Sequence, residues 1–116
     1  MKQKIGQQGE VAIMKIAALP TDIETKSVER SKSGAFIISH SESGHHHVIP
    51  DGEVMERTSD VPAGMRILYA ILDNPSSLRQ EADHAHENFD LESGVYEFRI
   101  SREYDPFAEQ ARIVAD

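Results

Sequence analysis

The sequence predicts a mainly β domain, a small antiparallel sandwich or barrel closed by a short C-terminal helix. Three observations carry that expectation. Short apolar segments recur at spacings of about ten to fifteen residues, separated by turn residues, a rhythm of strands rather than of a helical bundle. Residues 95–102 (VYEFRISR) alternate, with Tyr96, Phe98 and Ile100 on one side and Val95, Glu97 and Arg99 on the other, as in a half-buried strand. The chain has 116 residues, and one of that size buries roughly two-thirds of its unfolded surface without staples. Residues 1–116 are therefore read as a single domain.

Each element follows from local chemistry. Glu10 to Ile16 (EVAIMKI) reads as a first strand after a Gly-containing opening, and Leu19-Pro20-Thr21-Asp22 stops it, because proline lacks an amide and aspartate favours turns. Residues 23–32 are polar and mixed, an irregular or edge segment. Gly34 opens a strand over Ala35 to Ser39, rich in β-branched and aromatic side chains. Pro50-Asp51-Gly52 is a turn, with Glu53 to Arg57 as the returning arm of a hairpin. Val61-Pro62-Ala63-Gly64 leads into Met65 to Leu72, the most apolar segment, and Asp73 to Ser77 breaks it. Residues 78–87 (LRQEADHAHE) fit a helix by propensity and a strand by pattern, and both readings stay open. Glu92-Ser93-Gly94 turns the chain into residues 95–102. Asp105-Pro106 pairs an N-cap with a proline at the first helical position, predicting a helix over residues 106–114. The expected inner sheet face holds Val11, Ile13, Ile37, Ile67, Tyr69, Ile71, Tyr96 and Phe98.

Composition narrows the function classes. There is no cysteine, which excludes disulfides, thiolate metal sites and cysteine nucleophiles. Formal charge is −8 and no basic stripe with interleaved aromatics is present, so nucleic acid is not an expected partner. No apolar run approaches the roughly 20 residues that span a bilayer, and the opening MKQKIGQQGE lacks the apolar stretch of a signal peptide, so a soluble cytoplasmic protein with no membrane partner is expected. A protein partner or a homo-oligomer remains compatible with this surface. The GQQG segment is not followed by the lysine-serine pair of a phosphate cradle, and no nucleotide cofactor is expected. Ser41 and Ser43 have no nucleophile elbow around them.

The six histidines carry the one chemical signal. His40, His45, His46 and His47 fall in one stretch, and His84 and His86 in another. In a strand His45 and His47 share a face, with His46 opposite, and an extended segment would do the same for His84 and His86. Two such pairs on neighbouring strands bring imidazoles to one point, the ligand type of zinc, iron, nickel and manganese sites. His45, His47, His84 and His86 are the candidate metal ligands, with Glu42 or Asp83 as oxygen donors. If residues 78–87 are helical, His84 and His86 diverge by about 200° and one of them leaves the site. The plainer reading places these histidines on solvated surface before a turn. A histidine beside a carboxylate, such as His45 with Glu42, also suffices for proton transfer without metal.

Three stretches, GQQGEVAIMKIAALP (6–20), HSESGHHHVI (40–49) and SGVYEFRISREYDPFAEQARIVAD (93–116), carry a family resemblance. With them the chain resembles small, largely uncharacterised proteins of bacterial and phage genomes. These share a Gln-Gly-acid-Val opening, a Gly-His-x-His centre, a later histidine and an Arg-Glu-Tyr-x-Pro close. The resemblance places His45 and His47 on the His-x-His and His86 on the later histidine. Where many relatives have a histidine three positions earlier, this chain has Asp83, leaving the fourth ligand among Asp83, His84 and water. The Gly-His-x-His segment is also similar to a cupin metal motif, but Glu53 lies farther downstream than that motif prefers, so the likeness concerns architecture alone.

Two functional expectations emerge, from different classes. One is a metal-binding protein, with hydrolytic or oxidative chemistry open to it if a coordination position is left to water. The other is a non-enzymatic interaction or phage-associated accessory module whose histidines are structural or solvated. Neither assigns a reaction.

Overall fold

A computed structural model describes residues 2–40, 46–80 and 88–101. Ten strands form two antiparallel sheets: β1 (Gln3–Gln8), β2 (Val11–Ile16), β3 (Thr25–Ser27), β4 (Phe36–Ser39), β5 (His47–Ile49), β6 (Glu53–Arg57), β7 (Met65–Leu72), β8 (Ser76–Gln80), β9 (Phe89–Leu91) and β10 (Gly94–Ser101). The larger sheet has the order β1-β2-β10-β7-β6-β3 and the smaller β4-β5-β8-β9. Among the described residues neither sheet closes on itself, so the barrel alternative gives way to two open sheets. Val11, Ile13, Leu68, Ala70, Tyr96 and Phe98 of the larger sheet share one core with Ile38, Ile49, Leu78 and Leu91 of the smaller.

The most apolar segments take the central positions. β7 is flanked by β10 and β6 and is buried on both faces: Leu68, Ala70 and Leu72 enter the main core, while Ile67 and Tyr69 join Ile16 in a second cluster on the opposite face. The inner face expected for β7 therefore has the wrong parity. A continuous apolar run carries no alternation to choose between faces, and both are covered. Ile37 likewise sits with Ala35 and Val48 in a separate cluster, and Ile38 takes the core place. Val11, Ile13, Tyr96 and Phe98 face the core as expected.

Three further differences have physical causes. The polar opening is itself a strand, β1, stabilised by its ladder to β2 and not by burial, so its sequence carries no apolar alternation. β6 does not return along β5 but pairs with β7 and β3, so the turn at Pro50 carries the chain from one sheet to the other. Residues 78–80 belong to a strand that begins at Ser76, inside the expected break, while residues 81–87 lie outside the described residues. The helix expected over residues 106–114 also lies outside them. No helix among the described residues is long and apolar enough to cross a membrane.

Two strands depart from regular pairing. In β1 the register shifts between Lys4 and Gly6, leaving Ile5 unmatched and exposed. In β4 it shifts between Ile37 and Ser39, since Ile37 pairs with Val48 and Ser39 with His47. The unmatched Ile38 is a bulge residue, and a bulge puts consecutive side chains on one side of the strand. Ile38 enters the core and Ser39, next to it, turns toward the larger sheet.

Candidate functional site

β1 and β2 meet in a two-residue hairpin loop, with Gln8 opposite Val11 and Gly9-Glu10 between them. Gly9 has φ +56°, the conformation that glycine supplies at the first central position of such loops. This places Gln8 and Glu10 at one end of the larger sheet, facing His47 on β5 of the smaller.

His47 is 3% exposed and both ring nitrogens face the hairpin. Its Nδ1 is 2.8 Å from Gln8 Oε1, and its Nε2 is 3.2 Å from Glu10 Oε2. Gln8 Nε2 donates to the Leu78 carbonyl at 3.1 Å, which orients the carboxamide and leaves its oxygen as the acceptor at His47. Nδ1 therefore carries a proton, and Nε2 faces a carboxylate. Ser39 Oγ donates to the other carboxylate oxygen of Glu10 at 2.7 Å. Burial raises the affinity of the Glu10 carboxyl for a proton, but the Ser39 hydroxyl, its own backbone amide and His47 outweigh that and hold its pKa below the ordinary value. Glycine at position 9 also leaves room for the imidazole: a Cβ there would crowd His47, at 3.2 Å from Cε1 and 3.3 Å from Nε2.

The group lines an open cleft of about 610 Å³, whose other walls include Gln80, Asn88 and Phe89. Phe89 fixes this wall to β1, because its ring occupies the space that a side chain at Gly6 would need. Among the described residues the walls carry carboxamides and one carboxylate but no lysine or arginine, a lining that suits a cation or a neutral polar ligand better than an anion.

Of the candidate ligands, His47 is at this site; His45, His84 and His86, with Glu42 and Asp83, lie outside the described residues. His46 and His40 are not part of it. Their rings meet edge to face, 4.9 Å between centroids, and His40 Nε2 stands 3.3 Å from Glu29 Oε2. Burial and then the neighbouring His46 lower the pKa of His40, against Glu29. Among the described residues no group of three His, Asp or Glu side chains is gathered as a metal site. Spacing alone misses Gln8 and Glu10, since neither belongs to a histidine cluster. The fold brings Gln8 and Glu10 of the polar opening to His47 of the histidine stretch.

A family described as "Domain of unknown function (DUF8820)" matches residues 7–101. The chain belongs to the DUF8820 family. The matched span contains β2 to β10 together with Gln8, Glu10, Ser39 and His47, so the hairpin loop and its histidine lie within the family domain. No curated protein and no solved structure matches the chain.

Proposed function

We propose that this protein binds a divalent transition metal ion, with His47 Nε2 and Glu10 Oε2 as two of its ligands. The observation that supports this reading is the Gln8-oriented imidazole. With the ring proton at Nδ1, a neutral His47 points a lone pair at the Glu10 carboxylate, 3.2 Å away. Two acceptors at that distance need a cation between them. Ligands bound near-tetrahedrally to one zinc ion stand about 3.3 Å apart, and a ligating histidine normally donates its other N–H to an oxygen acceptor, the part Gln8 takes. His45, His84 and His86, the further ligands expected from the sequence, and water complete the coordination in this reading. An N- and O-donor set without thiolate suits zinc, iron, nickel or manganese.

The competing cation is a proton, which makes His47–Glu10 an internal ion pair and the protein the interaction module of the alternative expectation. Elemental analysis of untagged protein, beside His47→Ala and Glu10→Gln, separates the two. The metal reading expects a stoichiometric ion in the wild type that both variants lose. A metal-free wild type that takes up no added zinc or nickel, with His47 remaining imidazolium above neutral pH by NMR, would overturn it.

A further inference from the structure

The β4–β5 connection carries a second imidazole pair that faces away from the cleft. Ser39 and His47 are partners in the ladder, and both engage Glu10. The next residues outward, His40 and His46, fall on the other side and touch each other. His40 is 46% exposed and its partner Glu29 is 70% exposed, while His46 is half-buried. Glu29 is held beside β4 by the backbone bond from Ile37 N to Glu29 O, 2.9 Å.

We infer that His40 and His46 form a second, solvent-facing chelate for a divalent transition ion, with Glu29 orienting the His40 ring from outside. A carboxylate beside Nε2 favours the tautomer with its proton there, which assigns the Nδ1 lone pair of His40 to the metal. Two imidazoles from neighbouring strands make a bidentate site whose remaining positions go to water. Imidazole donors favour copper, nickel and zinc over magnesium and calcium, which take oxygen ligands. An ion bridging the base of the β4–β5 hairpin binds the folded state alone and so raises its melting temperature.

This site shares no residue with the one formed by His47 and Glu10, so the two proposals fail separately. The probe is Ni²⁺, titrated calorimetrically into untagged protein in excess Mg²⁺, which occupies surface carboxylates. In the His47→Ala background a binding event is expected to persist. It weakens by about tenfold or more when His40→Ala is added, and less with Glu29→Gln. Substoichiometric Ni²⁺ should broaden the ring signals of His40 and His46 before any others in that background. Identical titrations for His47→Ala and His40→Ala/His47→Ala, or broadening that spares both rings, would overturn the assignment. Exposed His40 is not needed for folding, so unchanged melting of metal-free His40→Ala serves as the control.

Discussion

At the scale of single residues, Gln8 is the side chain on which the site turns. It is largely buried, it spans the two sheets by donating to Leu78 O, and it accepts from His47. Gln8→Ala removes the acceptor that meets the Nδ1–H of a buried imidazole, a loss of about 1–3 kcal/mol that urea unfolding at neutral pH should register. Glu10 predicts a pH dependence of definite sign. Its folded pKa is depressed, so the folded state binds fewer protons, and its contribution is complete above about pH 4.5 and is lost as pH falls through the folded value. The stability gap between wild type and Glu10→Gln should therefore be widest near neutrality and should close on acidification, as measured by denaturant titrations across that range. His47 was legible in the sequence as a member of the histidine stretch, and it opens β5. Its partners were not, because a glutamine and a glutamate beside a glycine look like any polar turn until the sheets that carry them are stacked.

At the scale of elements, the strands announced by β-branched and aromatic runs were legible: β2, β4, β7 and β10 fall where the pattern puts them. The polar or very short strands, β1, β3 and β9, draw their order from a neighbour's ladder, and no local pattern reports that. β1 and β9 are also joined by packing. A Cβ on Gly6 would overlap the Phe89 ring, so Gly6→Ala forces the ring aside and loosens one wall of the cleft. The expected loss is about 1–3 kcal/mol. In a thermodynamic cycle with Phe89→Ala the two changes should be strongly non-additive, because the second removes the clash created by the first.

At the scale of the whole molecule, the two sheets are held by the shared apolar core and, at one end, by the polar link from Gln8 and Glu10 to His47. A buried carboxylate lies on β10: Glu97 is 1% exposed, with Arg99 Nε at 2.7 Å and Lys2 Nζ at 3.1 Å. Burial raises its pKa, but Arg99 and Lys2 more than offset this and hold it below the ordinary value. Glu10 and Glu97 thus act in the same direction, and acid unfolding below about pH 4.5 should be accompanied by proton uptake at both. A Glu10→Gln/Glu97→Gln variant should be less stable than wild type at pH 7 and show a flatter acid limb, read by circular dichroism against pH. Sheet content was legible in the spacing and alternation of the apolar segments, but the crossing at Pro50 was not: a turn signal states that the chain bends, not which sheet receives it.

The strand order also dictates how the chain must assemble. β2 lies between β1, its immediate neighbour in sequence, and β10, which it meets with Ile16 opposite Val95 and Val11 opposite Ile100. On the ribosome the first hairpin therefore emerges early and waits, one edge unsatisfied, until nearly all of the family domain has been synthesised. Late closure of this kind slows folding, since the entropy of a long loop is lost before its contacts form. A nascent chain paused before β10 would be the species most exposed to mispairing with its neighbours.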